Sequence, residues 1–178
     1  HVGVRVTALE PGALVASDGR WDMDLCIWTA GFVVPALARV SGLQVNAAGQ
    51  VRVDPQLRSV SHPHIYAAGD QASPVCDPGH PLPMGCKSAL PTGAHVADNL
   101  LRELSGEDGA AFDFALPFYC VSLGRNDGLI QWPDGDGRPL GRVLTGTKAA
   151  QWKESVCQMT WDWLQQEAEG REALRWMH

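Results

Sequence analysis

The chain has 178 residues, 45% of them hydrophobic and 19% charged, with a formal net charge of −6. That balance suits one or two globular domains with a sizeable core, and it excludes the basic patches that a nucleic-acid partner calls for. No apolar run approaches the ~18 residues of a membrane-spanning helix, no secretory signal is visible, and the first residue is His rather than Met, so the sequence reads as a piece of a longer protein.

Val2 to Leu9 alternates apolar and polar residues, the pattern of a half-buried strand. Pro11-Gly12 turns the chain into a second short strand, Ala13 to Ala16, and Ser17-Asp-Gly19 turns it again into a third, Trp21 to Trp28. Thr29-Ala-Gly31 ends this meander. Residues 36 to 62 read as a short helical turn, a loop, the strand Val51 to Val53 and a polar turn. The next apolar run, Ile-Tyr-Ala-Ala-Gly-Asp over 65–70, is expected to be a buried strand of a parallel sheet that stops at Gly69 and Asp70. Ligands of open α/β sheets lie beyond the carboxyl ends of such strands. An Asp held there accepts hydrogen bonds from ligand hydroxyls; the plainer alternative is an Asp-containing turn.

A Pro- and Gly-rich loop follows to Gly85, long enough to be functional. Cys76, His80 and Cys86, with His62 and His64 nearby, match no standard zinc spacing, and no metal is expected. The five cysteines are odd in number and lack a C-x-x-C pair, which suits a reduced, cytoplasmic chain. A helix is expected from about Ser88 to Leu104. Pro91 falls in its first turn, Leu90, Ala94, Ala97, Leu101 and Leu104 form an apolar stripe read as core, and Gly106 stops it. Its N-terminal N–H groups favour negative charge.

Ser105 to Ala111 is a small, polar linker. Beyond it Phe118 to Leu123 and Gly128 to Trp132 read as strands joined by a turn at Asn126-Asp-Gly128, with one more strand near Val143-Leu144. The turn-rich Pro133 to Pro139 lacks the spacing of a calcium loop. A helix from Lys148 to Ala168 carries the stripe Ala149, Trp152, Val156, Met159 and Trp163, and Arg171 to His178 reads as a short second helix. Five of the seven Trp lie at or beyond position 132. The acidic character of this segment favours core packing or a dimer contact over docking at a membrane surface.

The succession Asp24-Leu-Cys-Ile-Trp-Thr-Ala-Gly31, Phe32-Val-Val-Pro35, Gly49-Gln-Val-Arg-Val-Asp54, Ile65 to Asp70 and Pro91-Thr-Gly-Ala-His-Val-Ala-Asp-Asn-Leu100 resembles the C-terminal half of two-dinucleotide-domain flavoproteins. Within them it is most similar to the FAD-containing type II NADH dehydrogenases of the pyridine nucleotide-disulfide oxidoreductase superfamily. The resemblance implies an α/β fold: a fragment of a Rossmann-like flavoprotein plus an α+β C-terminal domain. Its parts would be the end of an NAD-binding domain (1–28), the C-terminal part of an FAD-binding domain (29–105) and a C-terminal domain for a dimer or membrane-surface contact (112–178).

The resemblance further implies an enzyme that takes hydride from NAD(P)H onto FAD and passes electrons to a small-molecule acceptor such as a quinone. Gly31 and Gly69 would let backbone approach the FAD, and Asp70 would accept hydrogen bonds from the ribityl chain. Ala89, Pro91, Thr92 and Gly93 would belong to the helix start at the flavin. The Gly-x-Gly-x-x-Gly fingerprint for the ADP end is absent, so the missing N-terminal half of the parent chain becomes an expected partner, with a homodimer and a peripheral contact at the inner face of the membrane as others.

Quinone-reducing members show Ala-Gln-x-Ala-x-Gln-Gln-Gly where this chain has Cys86-Lys-Ser-Ala-Leu-Pro-Thr-Gly93. Lys87 and Pro91 stand in place of two glutamines. Lys87 is either a solvated surface lysine or a catalytic cation beside the flavin. The open alternatives are another reductase of this fold, sulfide:quinone- or ferredoxin reductase-like, and a non-catalytic flavin-binding or assembly module.

Overall fold

Two glycine turns fold the N-terminal stretch into an antiparallel meander of β1 (Val6–Glu10), β2 (Ala13–Ala16) and β3 (Gly19–Asp22). The computed structural model describes residues 1–74, 82–134 and 138–171, and it divides into two compact units, 1–32 and 33–178. The meander is the first unit. Gly12, at φ 75°, turns β1 into β2, and Arg20 on β3 pairs with Glu10 on β1. The strands differ from expectation at both ends. β1 begins at Val6 rather than Val2, and β3 runs from Gly19 to Asp22 rather than Trp21 to Trp28. The reason is the partner: β2 has four residues, and its ladder with β3 ends at Ala13↔Asp22. Leu25 and Ile27 beyond it are 77% and 78% exposed.

In the second unit a single helical turn, α1 (Leu37–Val40), leads to β4 (Val51–Arg52), which pairs in parallel with β5 (Ala72–Ser73). Ala38, Val51, Ala67 and Ala72 form the buried core here, with Leu43, Val45 and Val53 against it. The Ile65–Asp70 run is therefore not the parallel strand. Tyr66 makes one antiparallel bridge with Arg58, and Gly69–Gln71 is a 3-10 turn; the parallel pairing falls just past it. The tight Asp54–Arg58 turn captures the backbone first: Asp54 Oδ1 accepts from the N–H groups of Gln56 and Arg58, at 3.0 and 2.9 Å, and Ala67 N–H bonds to Leu57 O.

Helix α2 (Cys86–Leu104) starts two residues before the expected Ser88. Pro91 consequently sits in the second turn, where it removes one helical hydrogen bond. The expected apolar stripe is also not the buried one. Ser88, Pro91, Thr92, His95 and Asn99 are buried, while Leu101 and Leu104 are 63% and 84% exposed. The buried polar groups are each paired, which is what burial requires of them. Asn99 Nδ2 donates to Gln56 O and Ala110 O, both at 3.0 Å, and its Oδ1 accepts from Ala110 N–H at 2.8 Å. Both amide hydrogens of Asn99 are thus committed to carbonyls, so His95 Nε2, 2.9 Å from Ala110 O, carries the proton and donates to it.

The C-terminal part is an antiparallel sheet of β6 (Tyr119–Ser122), β7 (Gly128–Pro133) and β8 (Pro139–Thr145), packed against α3 (Thr147–Ala168). Gly128 belongs to β7, opposite Ser122, and not to the turn. Its lack of a side chain answers packing instead: a Cβ there would lie 2.8 Å from Ala150 N. On the same helix Trp152 meets Phe118 and Trp132 edge-on, at 5.6 and 5.7 Å between ring centres. The expected helix after Arg171 lies outside the described residues, as do Cys76, Pro78, Gly79, His80 and Pro81 of the long loop.

Candidate functional site

Gly69 and Asp70 meet the first turns of α2. Gly69 has φ 64°, and an added Cβ would contact Ala89 Cβ at 3.6 Å. Only a residue free to adopt the left-handed region sits there without strain. Its N–H donates to Thr92 Oγ1 at 2.8 Å, and that hydroxyl donates in turn to Ser88 O at 2.7 Å. Thr92 is 1% exposed, so this chain fixes the distance between the 3-10 turn and the helix.

Asp70 Oδ1 accepts from Gly85 N–H at 2.6 Å, immediately ahead of the helix. No acidic residue lies in the first turn of α2 and its N-cap is glycine. Asp70 therefore supplies, from a distant segment, the negative charge that a helix start favours. Its second oxygen makes no hydrogen bond among the described residues. The first helical bonds run from the N–H groups of Ser88 and Ala89 to Gly85 O, so those of Cys86 and Lys87 precede them. Gln50 steadies the other side: its Nε2 donates to Asp70 O at 3.1 Å and Ala72 O at 3.0 Å, while Asn46 Nδ2 donates to Gln50 Oε1. The gap between these segments, lined by Gln50, Gly69, Asp70, Met84, Ser88 and Thr92, is small, with room for about one water molecule. Beside it, Gln71 Nε2 is buried with no hydrogen-bond partner among the described residues.

Of the residues singled out from sequence, Gly69, Asp70, Ala89 and Thr92 come together here. Pro91 is buried in the helix and Gly93 is exposed. Lys87 turns toward the C-terminal sheet, with its Nζ 4.5 Å from the centre of the Tyr119 ring, and burial lowers its pKa. Gly31 lies in the first unit at φ 84°, with nothing within 4 Å of an added Cβ. Sequence reasoning did not find Asn46, Gln50 or Ser88. Asn46 and Gln50 carry a turn signal at most, and nothing local announces bonds reaching about twenty residues along the chain.

The family model described as pyridine nucleotide-disulphide oxidoreductase matches residues 1–97. The chain belongs to this family. A relative, the NADH dehydrogenase-like protein MT1860 of Mycobacterium tuberculosis, is 28% identical over 88% of this chain and 38% of its own length. The type II NADH:quinone oxidoreductase of Staphylococcus epidermidis is 30% identical over 85% of this chain and 37% of its own. This member of the oxidoreductase family thus spans under two-fifths of those curated relatives. Among solved structures, an FAD-dependent pyridine nucleotide-disulphide oxidoreductase from Desulfovibrio vulgaris aligns with TM-score 0.51 and 28% identity, covering 74% of this chain and 34% of that one. Reduced Bacillus anthracis CoADR-RHD shares the fold, with TM-score 0.56 at 20% identity, covering 74% of this chain and 24% of its own. Both placements agree with the α/β, Rossmann-like class expected from sequence.

Proposed function

We propose that the chain is the flavin-end portion of an FAD-dependent NAD(P)H dehydrogenase, and that the Gly69-Asp70 turn with the start of α2 forms its flavin cradle. The observation that carries this reading is the pairing of a glycine at φ 64° with an adjacent carboxylate whose second oxygen makes no hydrogen bond among the described residues, beside a helix N-terminus. Those groups suit a ligand that offers hydroxyls and an electron-accepting ring. FAD, when bound, supplies the capacity to accept electrons from NAD(P)H and deliver them to an acceptor.

The residues of this chain do the holding. Asp70 accepts ligand hydroxyls on its open oxygen, Gly69 leaves room for the approach, and the first N–H groups of α2 favour negative charge on the ligand. Thr92 and Gln50 keep these groups in place. The names of the relatives support NADH as donor. The acceptor is a quinone or a related small molecule, despite Lys87 and Pro91 in place of two glutamines, and Lys87 is assigned to stabilising negative charge on the reduced cofactor. Exposed Trp161 and Leu164 on α3 support self-association. Among the described residues no helix is long and apolar enough to cross a membrane.

The test is the visible spectrum of the intact protein under anaerobic NADH, followed by a soluble quinone. Bleaching by NADH and recovery with quinone are expected. Bleaching without recovery removes quinone as acceptor, and a colourless protein that FAD cannot reconstitute removes the flavoenzyme reading.

A further inference from the structure

Two amides behind the Asp70 turn form a hydrogen-bonded chain with a fixed direction. Gln50 is 8% exposed and Asn46 is half-buried. Gln50 Nε2 donates one hydrogen to Asp70 O at 3.1 Å and the other to Ala72 O at 3.0 Å. Its Oε1 accepts from Asn46 Nδ2 at 3.0 Å, and the same Nδ2 donates to Ser73 Oγ at 3.2 Å. At the far end Asn46 Oδ1 accepts from Gln50 N–H at 3.0 Å. A backbone N–H needs an acceptor and a carbonyl needs a donor, so one setting of both amides satisfies every partner. Flipping either amide sets oxygen against oxygen and hydrogen against hydrogen.

The parallel pairing beside this chain is short, with only Val51↔Ala72 and Arg52↔Ser73. The Gln50 carboxamide extends it, tying the start of β4 to the carbonyl of Asp70. On the other side Thr92 Oγ1 holds the N–H of Gly69. Asp70 is thus fixed through the backbone at both flanks, with its carboxylate aimed at Gly85 N–H. Both amide hydrogens of Gln50 are committed to carbonyls, which leaves it no donor for a ligand. A group that must meet a ligand is placed by the residues behind it. We propose that Asn46 and Gln50 are positioning residues for Asp70, acting through the backbone of the 3-10 turn to set where its carboxylate points. The consequence for cofactor affinity rests on the flavin-cradle reading; the aim of Asp70 does not.

The experiment compares the intact natural protein with two variants. Gln50→Met keeps the length of the side chain and removes its donors. Asn46→Asp keeps Oδ1 and puts an oxygen in place of the Nδ2 donor. Hydrogen exchange by NMR reads the Gly85 amide, which is bonded to Asp70 Oδ1. Both variants should speed its exchange by about tenfold or more, the factor of one lost bond to a charged acceptor. The Ala150 amide on α3, bonded to Gly146 O, should keep its rate and report that the fold persists. FAD is then titrated in two backgrounds. Each variant should weaken FAD binding about fivefold when Asp70 is present. In combination with Asp70→Ala the further loss should be under about twofold, because a residue that acts only through Asp70 has nothing left to act on. Equal weakening in both backgrounds, or an unchanged Gly85 rate in either variant, would overturn the proposal. If Asp70→Ala itself leaves FAD affinity unchanged, the flavin reading fails instead, and the Gly85 rate alone decides the positioning role.

Discussion

Helix α2 has two faces that invert the usual order. The face carrying Ser88, Thr92, His95 and Asn99 is buried, and the face carrying Leu100, Leu101 and Leu104 is open to solvent. The polar face is inside because every group on it has a specific partner. Its first half bonds to the Gly69-Asp70 turn, and its second half clasps Gln56 and the backbone of Ala110. Periodicity alone shows that a helix has two faces. Which of them is covered depends on what lies across from it, and here the covering segments were chosen by hydrogen bonding.

The polar face depends most on Asn99, which is fully buried. Asn99→Ala strands the Ala110 N–H and the Gln56 carbonyl, while His95 still donates to Ala110 O. It should lower unfolding free energy by about 2–4 kcal/mol, read by urea denaturation. A loss below about 1 kcal/mol would mean that the clasp contributes little.

The first half of the same face is anchored at Gly69, whose N–H donates to Thr92 Oγ1. An added Cβ meets Ala89 at ordinary contact distance, so Gly69→Ala carries mainly the backbone penalty of the left-handed region, about 1–2 kcal/mol. Gly69→Asn should lose less, since Asn tolerates that region, and equal losses for the two would point to crowding instead.

Lys87, whose Nζ lies over the Tyr119 ring, has a pH dependence of definite sign. Burial lowers its pKa in the folded state relative to the unfolded chain. The folded state therefore releases this proton at lower pH, and the stability penalty of the buried ammonium is fully present below the folded pKa. It fades as pH rises from there toward the ordinary lysine value. Lys87→Met should accordingly raise the melting temperature at pH 7 relative to the natural chain, with the gap narrowing toward pH 10. A gap that widens with pH would contradict the burial account; a fall at pH 7 would show that the Tyr119 contact outweighs it.

The smallest effect belongs to the leucine face. The double substitution Leu101→Lys, Leu104→Lys should change stability by less than about 0.5 kcal/mol, because those side chains are already in water. A larger loss in the intact protein would show that another part of it covers this face.

Much of the fold was legible from turn chemistry and alternation. Ala13 to Ala16, the short turn before Gly42, β6, β7 and the long last helix fall close to where local sequence puts them, whereas β8 runs over Pro139–Thr145, well beyond the expected Val143-Leu144. Two kinds of feature were hidden. One is pairing at a distance: the 65–70 run looks like a strand because it is apolar, yet its backbone is taken by the Asp54–Arg58 turn, and the parallel ladder moves on to Ala72-Ser73. The other is packing that a residue allows by being small. Gly128 reads as a hairpin glycine, but the backbone of α3 passes where its side chain would be. At the site, Gly69 and Asp70 stood out by ending an apolar run, while Gln50 and Thr92 gave no local sign of the bonds they make to them.

The proposed role of Asp70, a carboxylate that receives the cofactor, is tested most directly by FAD affinity. The dissociation constant of FAD should be compared for the intact natural protein and its Asp70→Ala variant, by flavin fluorescence on reconstitution of the apoprotein. The account predicts binding weaker by about tenfold or more, the size expected for losing hydrogen bonds to a charged acceptor. Loss of the helix cap adds about 1 kcal/mol to the stability change and is read separately by denaturation. Unchanged FAD affinity in a folded variant would contradict the assignment of this cradle.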